Sequence, residues 1–384
     1  MAKGVGNFGV DNSRRIRHDS RRVNPAFSPQ RSFDPAQDGT LRSQWYLIYK
    51  KVCVLMKGEV MNRTRFCCLI ASVVVLAALG MAAAQKEGEA VSPPVIASRQ
   101  TVLHCTPQWA GARMEDGRPR VSDDILKRMR NVPVTMAWTI VTNAGYRNCF
   151  ENANDWMIMR PDKAIVGRVL TAQYMPLHPD YNQAITSQGK AEGRIGNSNS
   201  WPIDMLQKGD VYVADGFGKV IDGTLIGDNL GNSIYAKSGN GVIFNAGVRD
   251  MEGLEEIEGF NVWCKGADPS FLREVMLTGI NVPVRIGRAV ACPGDIVLAK
   301  REGMVFIPAH LAEKVVTESE VMTLRDMFGH QRLREGKYTP GQIDSRWTPE
   351  IQSDFRSWLK ENVSKLPVPK EVVEDVLNSK SRNW

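Results

Sequence analysis

An arginine and an aspartate stand side by side at Arg249-Asp250, and a second aspartate, Asp228, lies 22 residues earlier beside Gly227. Carboxylates at loop ends are hard oxygen ligands for a divalent ion such as Mg²⁺, which keeps several of its waters. A guanidinium next to them can hold a carbonyl or enolate oxygen as negative charge develops. The backbone N–H groups of Gly227, Asp228, Asn229 and Leu230, at the opening of a helix, suit a substrate carboxylate. An Arg-Asp dipeptide is also a common surface ion pair or turn, so the chemistry depends on the elements that carry it.

Those elements read as a β-α-β unit. Asp210-Val-Tyr-Val-Ala-Asp215 is a short β-rich run, followed by Gly216-Phe-Gly218 and a loop to Gly227. Helix-compatible residues continue to Ser238 with Gly239 as the stop, and Gly241 to Asn245 is a second buried strand that leads into Arg249. Ligands bind at the ends of such strands, which puts Asp228 and Asp250 on one edge of a sheet. Before this unit, a helix is expected from Ser122, with Ile125, Leu126 and Met129 on one face. Val134 to Val141 is helix or strand, residues 164–173 form a strand, and Met175 to Trp201 reads as a long loop. After it come a helix candidate from Met251 to Glu258 and β-runs at 261–264, 282–286, 296–299 and 304–307. Thr348-Pro349 opens a helix with Ile351, Phe355, Trp358 and Leu359 at helical spacing, and Val372, Val373, Val376 and Leu377 form another apolar face.

The 384 residues carry a formal charge of +7, but residues 1–84 hold 13 Lys+Arg against 5 Asp+Glu, leaving 36 against 37 from Gln85 onward. The basic excess is therefore no argument for nucleic-acid binding. From Met61, two arginines precede an apolar run from Phe66 to about Met81 and then Ala82, Ala83 and Ala84, the pattern of a cleaved signal peptide; a membrane anchor is the competing reading of a run this long. An exported location, periplasmic or extracellular, with no stable anchor after cleavage, follows. Residues 1–60 are either an over-extended reading frame ahead of Met61 or a basic cytoplasmic arm. Cys105, Cys149, Cys264 and Cys292 lack the close spacing of a zinc site, and two disulfides or free thiols are equally compatible with them. His178, His310 and His330 show no metal-ligand spacing.

The segment 209–250, with its G-D-N-L and N-A-G-V-R-D stretches, together with NVPVRIG (281–287), CPGDIVLA (292–299) and GMVFIP (303–308), resembles the RraA-like family. That family contains the regulators of ribonuclease E activity and the class II 4-hydroxy-4-methyl-2-oxoglutarate aldolases. The resemblance implies an α/β fold, a swivelling β/β/α domain over about 122–320, after a lead-in over 85–121 and before a helical C-terminal extension over 321–384. It also implies a homotrimer or hexamer with Mg²⁺ or Mn²⁺ as cofactor. Its roles carry over residue by residue: Asp250 to the metal, Arg249 to the pyruvate oxygens and their enolate, and the loop Gly227, Asp228, Asn229 and Leu230 to the substrate carboxylate. The expected activity is a metal-dependent carbon–carbon lyase acting on a small 2-oxo acid, with oxaloacetate decarboxylation as a side activity. The competing expectation is a non-catalytic binding or regulatory protein on the same scaffold. Gly216-x-Gly218 does not extend to G-x-G-x-x-G, so a nucleotide-cofactor methyltransferase has no support. The extension lacks a match for the base that a neighbouring aldolase subunit contributes.

Overall fold

A computed structural model describes residues 95–379. The signal-peptide segment 61–84 and the stretch 1–60 lie outside the described residues. Among the described residues no helix is long and apolar enough to cross a membrane.

The helices are α1 (Arg99–Cys105), α2 (Asp123–Met129), α3 (Val134–Asn143), α4 (Pro179–Ala191), α5 (Trp201–Asp204), α6 (Asp228–Ser238), α7 (Met251–Glu256), α8 (Ala312–Arg334), α9 (Pro340–Asp344), α10 (Pro349–Asn362) and α11 (Lys370–Asn378). The strands are β1 (Phe150–Asn152), β2 (Met157–Ile158), β3 (Ile165–Pro176), β4 (Asp210–Asp215), β5 (Val242–Asn245), β6 (Gly247–Val248), β7 (Val262–Cys264), β8 (Gly266–Ala267), β9 (Val275–Ile280), β10 (Val284–Ile286), β11 (Ala289–Ala291), β12 (Ile296–Lys300) and β13 (Gly303–Ile307). The fold is mixed α/β. A nine-stranded sheet runs in the order β1-β13-β12-β3-β4-β5-β7-β2, with β9 paired to β3. The centre, β3-β4-β5-β7, is parallel, and the flanking pairs are antiparallel.

Side-chain alternation explains why the central strands are buried on both faces. In β4, Tyr212 and Ala214 join the core under α5 and α6, while Val211 and Val213 join the core under the β10–β11 hairpin. In β5, Val242 and Phe244 face the first core and Ile243 the second. A third cluster packs α2, α3 and the start of α8 on β12 and β13. The Ser122 hydroxyl caps α2 by accepting from the Ile125 N–H at 3.3 Å, and Gly239, at φ 66°, ends α6 in the left-handed conformation.

Three expectations change. Met175 to Trp201 is not a loop: α4 fills much of it, opened by Pro179, with Ile185 buried in the core. Its packing rests on a close approach, since a Cβ on Gly189 would stand 2.1 Å from the Trp201 ring. The lead-in segment holds α1 and also a fully buried Arg118, whose guanidinium donates to Asp210 at the start of β4 at 3.0 Å and to Asp116 at 2.7 Å. Finally, α8 runs unbroken through position 320, so the helical extension continues a helix already packed on the core. Arg128 of α2 holds that helix by a two-pronged pair with Glu320 at 2.7 and 2.8 Å. Beyond it, Phe328, Trp347, Phe355 and Trp358 build a separate aromatic core with α9, α10 and α11.

Candidate functional site

The sequence 216–227 leaves β4 and runs beside the chain that leaves β5, and a ladder of backbone hydrogen bonds joins them. The N–H groups of Gly216 and Gly218 donate to the Asn245 carbonyl, Leu225 to Gly247, and Arg249 to Ile226 at 3.0 Å. This last bond sets Arg249 and Asp250 beside Gly227 and Asp228, so two segments 22 residues apart meet at one sheet edge.

Gly227 leaves the space that the Asp250 carboxylate occupies. A Cβ at this position would lie 2.2 Å from Asp250 Oδ2. Asp250 itself adopts φ 56°, ψ 48° at the N-terminus of α7, a left-handed conformation that costs a non-glycine residue about 1–2 kcal/mol and that aspartate tolerates better than most. Asp228 sits on Gly253 of α7, where an added Cβ would be 2.7 Å from the Asp228 Cβ. The four predicted loop residues, Arg249 and Asp250 are thus gathered at the junction of α6 and α7. One expected donor is already taken: Asp228 Oδ1 accepts from the Asn229 N–H at 2.7 Å.

Arg249 Nη1 lies 3.6 Å from Asp250 Oδ2, with side-chain exposures of 41% and 37%. The pair is loose and open to solvent, which leaves donors and lone pairs free for a ligand. Two carboxylates against one guanidinium leave the junction with negative charge, which suits a cation. The donor set is small and all oxygen, matching Mg²⁺ held through one or two carboxylates with most of its water shell retained. Among the described residues no group of three or more His, Cys, Asp or Glu is placed to hold a metal, so an ion ligated wholly by protein does not fit.

A cleft of about 360 Å³ opens over the junction, lined by Gly227, Asp228, Asn229, Leu230 and Arg249 on one side and by Asn197, Asn199, Phe271 and Leu272 on the other. Asn199 is fixed by donating to the Leu225 carbonyl at 2.7 Å. The second wall was not foreseen from sequence; the run Gly196-Asn-Ser-Asn-Ser200 signals only a turn. Larger clefts of about 570 and 640 Å³ lie at Trp138, Arg147 and Arg288 and between α3, α8 and α11, and neither reaches the carboxylates. Among the described residues no histidine lines the cleft: His178 precedes α4, His310 packs against Tyr146 at 5.9 Å between ring centres, and His330 lies in α8. Cys105, Cys149, Cys264 and Cys292 are free thiols.

Comparison with known proteins agrees with the sequence resemblance. Residues 120–306 match the family model described as RraA-like, Aldolase/RraA. Protein DlpA of Legionella pneumophila is 28% identical over 163 residues, 42% of this chain, and the chain spans about a quarter (24%) of that protein's length. Among solved structures, Streptomyces coelicolor RraAS2, described as an unusual member of the RNase ES inhibitor RraA family, aligns at 22% identity and TM-score 0.48 over 56% of this chain and 99% of its own. An uncharacterized Pseudomonas syringae protein aligns at 18% identity and TM-score 0.48, covering 61% of this chain and 98% of its own.

Proposed function

Residues 120–306 of this chain are an RraA-like domain, and from that premise we propose that it is a divalent-metal-dependent carbon–carbon lyase acting on a small 2-oxo acid. The family includes both aldolases and regulatory inhibitors. The observation that carries the enzymatic reading is the solvent-open junction of Arg249, Asp250 and Asp228 around Gly227, built at the cost of a left-handed aspartate. Strain of this kind persists where the surrounding structure enforces it and clusters at functional sites.

In this reading Asp250 would hold Mg²⁺ or Mn²⁺ together with its waters, and the ion, when bound, would supply an electrophile for a carbonyl oxygen. The N–H groups at the start of α6 and the Arg249 guanidinium orient the 2-oxo acid by its carboxylate. As the C3–C4 bond breaks, its electron pair passes into the C2–C3 unit, and Arg249 stabilises the oxygen on which charge collects. Asp228 is the carboxylate of the cleft able to take the proton of a 4-hydroxyl group. Decarboxylation of oxaloacetate passes through the same enolate and needs no such base. Assembly into a trimer or hexamer and export from the cytoplasm accompany the proposal; an exported protein would not meet a cytoplasmic ribonuclease, which weighs against the regulatory alternative.

Purified protein is expected to release pyruvate from oxaloacetate or a 4-hydroxy-2-oxo acid only with Mg²⁺ or Mn²⁺ present. Arg249→Ala should lower turnover by about 10²–10³-fold, the loss typical of removing a donor to a developing oxyanion. Unchanged turnover in both Arg249→Ala and Asp250→Ala would remove the site from the account.

A further inference from the structure

A separate cleft of about 350 Å³ lies between the lead-in segment and the turn that joins β11 to β12. Two thiols line it: Cys105, the last residue of α1, and Cys292, which opens the turn Cys292-Pro-Gly-Asp295. The lead-in and the turn pack closely, since a Cβ on Gly294 would stand 2.3 Å from the Pro119 ring. Asp295, 7% exposed, borders the same cleft. Burial first, and then the charge of Asp295, raise both thiols above the ordinary 9.0; Cys105 adds to the rise at Cys292, which is pushed up to about 12. Charges act on one another's titration in this way only at short range, so the two sulfurs are neighbours across the cleft. The other two thiols are held elsewhere. Cys149 also borders the cleft, but it packs in the core under α3 with the Thr142 hydroxyl 3.9 Å from its sulfur, and Cys264 is buried in the core under α5 and α6 and donates to the Gly266 carbonyl at 3.5 Å. A thiolate is poorly stabilised in a dry setting beside a carboxylate, whereas a disulfide there is neutral; thiols with raised pKa values therefore favour the oxidised form.

We propose that Cys105 and Cys292 are a redox pair, which a disulfide oxidant joins into a bond that ties α1 to the β11–β12 turn. Both residues stand at element ends, where the backbone can adjust to the Cα separation of about 4.4–6.8 Å that a disulfide needs. One thiolate attacks the oxidant's disulfide and releases one of its thiolates; the other attacks the mixed disulfide so formed and releases the second. Two protein S–H bonds and the oxidant's S–S bond are exchanged for one protein S–S bond and two oxidant thiols, so two protons and two electrons pass to the oxidant. The inference is independent of the lyase reading. Purified protein is incubated with oxidised glutathione at about pH 8.5, near the ordinary thiol pKa, then alkylated and digested with trypsin without reduction. The expected product is one cross-linked peptide joining residues 100–113 to 289–300, lost on treatment with dithiothreitol. The oxidised protein should melt about 4 °C or more above the reduced form. Cys149→Ser should keep both the link and the shift, and Cys292→Ser should lose both. The wild-type peptide map decides by itself: Cys105 and Cys292 both alkylated after oxidation, a link from Cys105 to Cys149, or a link between two copies of the chain overturns the proposal.

Discussion

Two Arg-Asp pairs in this protein have the same chemistry and opposite circumstances. Arg118 and Asp210 are 92 residues apart, meet at 3.0 Å and are fully buried; Arg249 and Asp250 are adjacent, stand 3.6 Å apart and are more than a third exposed. In the first pair the charges are turned inward: Arg118 also reaches Asp116, and Asp210 Oδ2 accepts from Arg118 and from the Gln207 N–H at 2.9 Å, while Asp210 Oδ1 has no hydrogen bond and faces Arg168 Nε at 3.6 Å. The two carboxylates hold Arg118 firmly protonated against the desolvation that opposes its charge. In the second pair the groups are imperfectly satisfied by one another, so a ligand can compete for them. Burial converts a charged pair into a fastener for the N-terminal segment, and exposure leaves the same pair available for chemistry.

The comparison breaks first on stability. Arg118→Met removes the one cation hydrogen-bonded to the buried Asp210 carboxylate, leaving Arg168 Nε at 3.6 Å as its remaining ion-pair partner, and should cost about 3–5 kcal/mol in denaturant unfolding. Arg249→Met should stay within about 0.5 kcal/mol of the wild type, as exposed substitutions do. Equal losses in the two variants would dissolve the distinction.

A smaller effect comes from a third acid. Asp295, in the turn after Cys292, is lifted by burial from the ordinary 3.8 to about 7, partly opposed by the Cys292 N–H that donates to it at 2.8 Å. Its folded-state pKa is raised, so the native state binds the extra proton between those values. Its contribution is complete below about pH 4 and is lost as pH rises through 7. Unfolding free energy should therefore decline across that window with a slope from this group of at most about 1.4 kcal/mol per pH unit. Asp295→Asn keeps an acceptor for Cys292 and should flatten that part of the profile; an unchanged slope would assign it to other groups.

How far these features could be read from sequence follows from their range in the chain. The β4-α6-β5 unit is legible because its signals are local: the β-rich apolar run Val211-Tyr212-Val213-Ala214, a glycine before α6 and another after it. The approach of Asp228 to Asp250 followed from that topology and from the family motif. The Arg118–Asp210 pair left no trace, since nothing in spacing links residues on separate elements. Helix α4 reads as a loop in sequence because its apolar content is slight, with Ile185 and Gly189 its buried positions. It is held by the fit of a glycine against Trp201, a tertiary contact that hydrophobic period does not encode. The second wall of the cleft is hidden for the same reason.

The central claim is that Arg249 and Asp250 act together on the enolate of a 2-oxo acid. Oxalate, a planar dianion that mimics that enolate, tests it directly in a titration with and without Mn²⁺. The account predicts that oxalate binds the wild type only when Mn²⁺ is present, and that both Arg249→Met and Asp250→Ala abolish this binding while remaining folded. Oxalate binding that is indifferent to Mn²⁺, or that survives in both variants, would contradict it.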